Sequence, residues 1–172
     1  MSLTAPEYFS YGALFIGFAC LVIELADWYP GLTALRKHPT KWAASLGSFL
    51  WTWCVGAVLT LCVGGLVGLA TGWFIWGAGW LGDAAYVAGL GGQRQEASRI
   101  ADVALTPGGI FMAGLLILVT VIRVRKGGTS PSKIRGLISG ILMSCSAGVA
   151  ATVAVPLASA VNISGAWLTG AL

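Results

Sequence analysis

Residues 42–80 read WAASLGSFLWTWCVGAVLTLCVGGLVGLATGWFIWGAGW, and these 39 positions contain no Asp, Glu, Lys or Arg. As one α-helix the stretch would be roughly 58 Å long, well beyond one bilayer crossing. Two interpretations compete: a single tilted helix whose outer end projects from the lipid, or a hairpin that breaks near Gly64 and Gly65. We predict one long helix, because no Pro and no polar turn marks a break and because the charge pattern below favours it.

The rest of the chain has the same apolar character. Of its 172 residues 57% are hydrophobic and 9% are charged, and the mean hydropathy is +0.85. A soluble domain of this size could not hide so much apolar surface, and a disordered chain needs the opposite composition. Four Cys over this length argue against a disulfide scaffold. We therefore predict an all-α, polytopic integral membrane protein that forms a single membrane domain.

Three further apolar segments complete a prediction of four transmembrane helices. They cover approximately residues 8–29, 106–123 and 134–167. The pairs Thr106-Pro107 and Ser130-Pro131 supply an N-cap and a first helical residue for the last two. The second and fourth spans are unusually long, and Pro156 should kink the fourth.

The distribution of charge predicts how the chain is oriented. Eight of the ten Lys and Arg residues lie in or beside two alternate connections, 30–41 and 124–133. The segment 82–105, predicted as a short extracytoplasmic helical segment, holds only two, and the N-terminus holds none. The positive-inside rule places the two basic connections in the cytoplasm and both termini outside the membrane. That pattern requires an even number of spans, so a fifth span would place one basic loop outside.

Two rows of small residues repeat every four positions, which places each row on one face of a helix. The rows are Gly64, Gly68 and Gly72, and Gly136, Gly140, Ser144, Gly148 and Thr152. Small side chains let helix backbones approach closely in lipid. The rows therefore indicate either packing inside one bundle or a seam for self-association between copies.

Two acids lie near the predicted cytoplasmic end of the first span. Glu24 and Asp27 are three residues apart and share a helix face. An acid in a span is usually paired or functional. We predict a structural pair with Arg36, Lys37 or Arg123; the alternative is a proton or cation site. No acid lies inside the other predicted spans, so a proton relay would lack a second proton-accepting carboxylate.

Tryptophan marks the expected membrane–water boundaries, where amphipathic rings are enriched. The predicted interfacial residues are Trp28, Trp42, Trp73, Trp76, Trp80 and Trp167. Trp73, Trp76 and Trp80 follow a helical spacing that suits an outer aromatic belt, with a docking surface for a partner as the alternative.

Two passages resemble small polytopic membrane proteins of actinobacterial mobile elements, namely the spread proteins of conjugative plasmids and phage membrane proteins. They are Leu105–Gly109 and the run SAGVAATVAVPLASAVNISGAWLTG, Ser146 to Gly170. The resemblance implies a self-associating membrane protein that helps transfer between cells, for instance by forming a pore. It carries no functional residue across to this chain.

The sequence contains none of the motifs G-x-x-x-x-G-K-[ST], H-E-x-x-H or G-x-S-x-G. Its single His, His38, cannot form a haem pair or a zinc site. We predict no enzyme, no metal, no cofactor and no nucleic-acid partner. The predicted function is that of a self-associating, non-enzymatic subunit of a larger membrane assembly, such as a pore or a transfer apparatus. Alternatives are a small transporter or channel with its site in one protomer, and a holin-like phage lysis protein.

Overall fold

The computed structural model describes residues 10–29, 39–62, 65–91, 93, 105–146 and 150–170. The described residues are 90% helical and include no strand, which confirms the all-α prediction. The helices are α1 (Tyr11–Trp28), α2 (Pro39–Leu61), α3 (Gly65–Leu90), α4 (Pro107–Gly127), α5 (Pro131–Ser144) and α6 (Val155–Thr169), with a π-helical turn, Ala150–Ala154, directly before α6.

Several helices are long and apolar enough to cross a membrane. Among the described residues these are Tyr11–Trp28, Pro107–Gly127 and Thr152–Thr169, with mean hydropathies of 1.6, 2.0 and 1.2. The pair Leu46–Leu61 and Gly65–Gly89 passes the same test together. The described chain therefore holds three such helices, or four if the bent pair counts as one.

The prediction of one continuous helix over residues 42–80 is wrong. Helix α2 ends at Leu61, α3 begins at Gly65, and the two are bent by 106°. Gly65 has φ +72°, a left-handed conformation that a residue without a Cβ adopts at little cost. A glycine can therefore begin α3 in a new direction without a Pro or a polar turn. Helix α3 also continues to Leu90, so the first part of the predicted extracytoplasmic segment 82–105 is helical; residues 94–104 lie outside the described residues.

The prediction of one kinked helix over residues 134–167 is also wrong. Helix α5 ends at Ser144, and α6 begins at Val155 after the π-helical turn. Pro156 lies in the first turn of α6. Because Pro has no N–H, the turn before it loses an α-helical hydrogen bond, and a π-helical turn is one way to absorb that loss.

Glycine lies at the closest contacts between helices. The contacts are Gly12 with Gly82 between α1 and α3, Gly140 with the Trp53 backbone between α5 and α2, and Gly108 with Gly165 between α4 and α6. At each of these glycines a Cβ would lie within 3.0 Å of backbone atoms in the facing helix. Close packing of backbones, which favours association of helices in lipid, therefore holds the helices together in three places.

Four helix ends meet at one end of the molecule, which we call the charged end. Trp28 Nε1 at the end of α1 donates to Trp42 O near the start of α2 at 2.9 Å. Arg135, in the second turn of α5, pairs with Asp27 of α1. The end of α4 joins them, because Arg123 lies over an indole ring of α2. The ends of α1 and α4 and the starts of α2 and α5 therefore all lie at the charged end.

Candidate functional site

A cluster of charges ties α1 to α5 at the charged end. Glu24 is 7% exposed, and its Oε2 lies 3.2 Å from Arg135 Nη1. The hydroxyl of Ser132 donates a hydrogen bond to Oε1 of the same carboxylate. Asp27, one turn further along α1, pairs with the same Nη1 through its Oδ2. The side chain of Asp27 is 61% exposed and that of Arg135 30%, so the cluster runs from the interior to the surface.

Local sequence explains why these groups meet. Glu24 and Asp27 share one face of α1 because they are three residues apart. Ser130 caps α5 by accepting a hydrogen bond from the N–H of Lys133, which fixes where the helix begins. Ser132 and Arg135, again three residues apart, then project toward α1 together. Two carboxylates face one guanidinium, so the cluster carries a formal charge of −1.

The described partner of the two acids is Arg135, which was not among the predicted ones. Of the predicted partners, Arg36 and Lys37 lie outside the described residues, and the guanidinium carbon of Arg123 lies 4.8 Å from the centroid of the Trp51 ring. No sequence pattern had singled out Arg135 as the partner. One sequence signal could have indicated this role of Arg135. A cation near a helix N-terminus is destabilised by the helix dipole, and Arg135 also precedes an apolar segment. Such a cation is expected to have a nearby acid as its partner.

An open groove lies beside this cluster, and we call it the acidic groove. Its volume is about 510 Å³. It is lined by Glu24, Asp27, Trp28, Trp42, Ser48, Pro131, Ser132 and Arg135. Two of the tryptophans predicted to be interfacial, Trp28 and Trp42, therefore form part of its wall.

A second cavity, the basic recess, lies between α2, α4 and α5 and shares Ser48 with the acidic groove. Its volume is about 230 Å³. It is lined by Ser48, Trp51, Thr52, Thr120, Arg123, Val124 and Lys133. Trp51 Nε1 donates to Thr120 Oγ1 at 3.2 Å, and Thr120 donates in turn to Leu116 O at 2.8 Å. The two neighbouring cavities thus carry opposite charge.

The small-residue row on α5 faces α2. Gly136 lies against Phe49 O and Thr52 Oγ1, and Gly140 lies against the Trp53 backbone. Ser144, the third member, is buried. This face of α5 is therefore filled by a helix of the same chain, which favours packing inside one bundle over a seam between copies.

The remaining small residues are spread over other parts of the chain. Gly68 and Gly72 are buried on α3. Thr152 is exposed in the π-helical turn. Gly64 and Gly148 lie outside the described residues.

The predicted outer tryptophans lie on exposed faces. Trp73 and Trp76 contact each other edge to face, with ring centroids 5.5 Å apart. Trp80 follows on the same helix, Trp167 lies near the end of α6, and all four side chains are exposed. Exposed indoles on apolar helices are typical of membrane–water boundaries.

The structure adds a buried acid that the sequence patterns did not single out. Asp83 is 2% exposed and lies against Gly12 at the crossing of α1 and α3. Asp83 does not pair with Glu24. Asp83 lies beside Gly12, and Glu24 is about 18 Å further along α1 than Gly12. The signal was present in the helical spacing of Gly72, Gly79 and Asp83, which continues past the last tryptophan of the predicted span.

Among the described residues, no three His, Cys, Asp or Glu side chains cluster closely enough to hold a metal ion. No family model, no curated protein and no solved structure matches the chain. The resemblance to proteins of actinobacterial mobile elements stays a prediction.

Proposed function

We propose that this chain is a non-enzymatic, multi-pass membrane protein that works as a subunit of a larger membrane assembly, with its charged end in the cytoplasm and both termini outside. The observation that carries the proposal is the acidic groove. Around the described helices, large apolar side chains such as Leu66 and Ile163 are exposed and suited to lipid. The acidic groove combines charged groups, two indoles and open volume, so it offers specific contacts to another subunit.

Self-association remains part of this proposal, but we now assign it to the charged end and not to the small-residue row on α5. The row on α5 that suggested it packs against α2 in the same chain. A contact between copies, or with another subunit, would therefore use the charged end. The ion pairs of Arg135 hold α1 and α5 in place there, so the groove presents a fixed shape to a partner.

The test is photocrosslinking in membranes with a photoreactive aromatic residue at position 42 or 163. Replacing Trp42 keeps its backbone carbonyl, which accepts the hydrogen bond from Trp28. Ile163 is the control because it lies on an exposed apolar face. We expect crosslinks to protein from position 42 and not from position 163. A strictly monomeric particle in nanodiscs, with no protein crosslink from position 42, would refute the proposal.

A small transporter or channel is the second candidate, and one observation favours it. Helices α2 and α5 run parallel, because Gly136 lies beside Phe49 and Gly140 beside Trp53. By this register the end of α5 at Ser144 is about one turn, ~6 Å, from the end of α2 at Leu61. Interrupted helices that meet inside a membrane are typical of ion and substrate sites in transporters.

The polar groups near these helix ends weigh against a transport site. Thr60 donates to Ala57 O at 2.7 Å, and Ser146 donates to Met143 O at 3.1 Å, so both hydroxyls bond to nearby backbone. Ser144 Oγ is buried and makes no hydrogen bond to any residue that the structure describes, which leaves one group for a ligand. If the chain supports ion flux into proteoliposomes and Ser144→Ala abolishes that flux, the transporter is established and the assembly proposal is replaced. The holin-like alternative stays a prediction.

A further inference from the structure

We infer that the basic recess binds the phosphate of an anionic phospholipid headgroup. The recess holds about 230 Å³, room for roughly seven water molecules and enough for one tetrahedral oxyanion. It opens at the charged end between α2, α4 and α5. The inference does not depend on the oligomeric state or on the assembly proposed above.

Charge is the first argument. Arg123 and Lys133 both line the recess, and no carboxylate is among its described lining residues. The ion pairs of the described chain all use Arg135, which neutralises acids in the neighbouring groove. The recess therefore carries two positive charges without an acidic partner in the described chain, whereas the acidic groove would repel an anion.

The second argument is that the cations are held in place. The guanidinium carbon of Arg123 lies 4.8 Å from the centroid of the Trp51 ring, a cation–π contact. That indole is itself fixed by its hydrogen bond to Thr120. This contact with the ring uses none of the guanidinium N–H groups in a hydrogen bond to an oxygen, so they can donate to phosphate oxygens. Lys133 Nζ donates one hydrogen bond to Gly128 O at 2.8 Å, so two of its N–H groups can point to a ligand.

The third argument concerns the source of the phosphate. Arg123 lies near the end of α4 and Lys133 in the first turn of α5, where the apolar segments stop. Lipid phosphates lie at this level of a bilayer, and basic pockets between helices bind anionic headgroups there. Val121 and Ile122, just before Arg123, are exposed apolar side chains that suit contact with acyl chains. A lipid therefore fits the surroundings better than free phosphate.

The experiment is a binding titration on the full chain in a neutral detergent, read by native mass spectrometry. The probes are short-chain phosphatidylglycerol, short-chain phosphatidylcholine and inorganic phosphate at matched ionic strength. We expect saturable binding of phosphatidylglycerol that exceeds binding of the other two. Arg123→Gln and Lys133→Gln should each weaken it about fivefold, and both together by more than tenfold. Lys126→Gln is the matched control, because it removes the same charge from the end of α4 without lining the recess.

Several results would overturn the inference. If phosphatidylglycerol binds the wild-type chain no more tightly than phosphatidylcholine does, an anionic-lipid site is excluded, whatever the variants do. An equal loss in Lys126→Gln would show diffuse surface attraction instead of a site. If inorganic phosphate binds as tightly as phosphatidylglycerol, the recess is an oxyanion site but the lipid is rejected as its ligand. Circular dichroism and elution volume check that each variant is folded.

Discussion

Replacement of Gly140 by Ala tests the contact between α2 and α5. A Cβ at this position would lie 2.9 Å from the carbonyl carbon and the Cα of Trp53, and closer still to its carbonyl oxygen. Ordinary contact for a Cβ begins at 3.4 Å, so the helices must separate by at least ~0.5 Å. The clash is with backbone, which cannot rotate away as a side chain can.

The expected magnitude follows from two opposing effects. Overpacking in a close contact costs about 1–3 kcal/mol, and a backbone clash belongs at the upper end of that range. Ala in place of Gly inside a helix otherwise stabilises by about 0.5–1 kcal/mol. Gly47→Ala on α2 is the matched control, because its Cβ would meet nothing within 4 Å. We expect Gly140→Ala to be less stable than Gly47→Ala by about 3 kcal/mol.

The assay is reversible unfolding in mixed micelles, followed by circular dichroism at two or more protein concentrations. Packing within one chain predicts a loss of stability that does not change with concentration. If the row mediates self-association instead, Gly140→Ala should shift the oligomeric state and leave the stability of the monomer unchanged. Equal stability of Gly140→Ala and Gly47→Ala would refute the packing described for α2 and α5.

Three further predictions concern the charged cluster, the α4–α6 contact and the topology. Arg135→Gln should lower the thermal midpoint because it leaves a buried carboxylate unpaired, and adding Glu24→Gln should restore part of the loss; a double variant no more stable than Arg135→Gln would contradict the pairing. Asn162→Ala should lower the free energy of unfolding by about 0.5–1 kcal/mol in a denaturant titration, because Asn162 Oδ1 accepts hydrogen bonds from Thr106, the cap of α4. An unchanged free energy of unfolding would mean that these bonds contribute nothing to stability. An impermeant thiol reagent applied to intact cells should label Gln93→Cys and not Lys126→Cys, and the reverse pattern would invert the proposed orientation.

Sequence patterns predicted the features that depend on neighbouring residues. Thr106 accepts a hydrogen bond from Gly109 N, and Ser130 accepts one from Lys133 N, so both predicted caps are confirmed. Pro107 and Pro131 begin their helices as expected. A cap and a first-turn Pro act within one turn of helix, so the chain needs no tertiary contact to reveal them.

The features that were missed depend on distant parts of the chain or on conformational freedom. Arg135 lies 108 residues from Asp27, and no local pattern joins them. The bend at Gly65 needs a positive φ that any glycine can adopt, and the chain has 25 glycines, so composition alone cannot select this one. The burial of Asp83 depends on Gly12, which lies 71 residues earlier in the chain.

The break in residues 42–80 is compatible with the prediction that both basic connections lie on one side of a membrane. Leu61 at the end of α2 packs with Ala154 and Ala158, and Leu105 just before α4 packs against the same cluster. The end of α2 and the residue just before α4 therefore lie close together. Helix α4 then runs back to the charged end, where Arg123 lies over α2. The helix ends that flank the two basic connections thus lie at one end of the molecule, as expected if both connections are on the same side of a membrane.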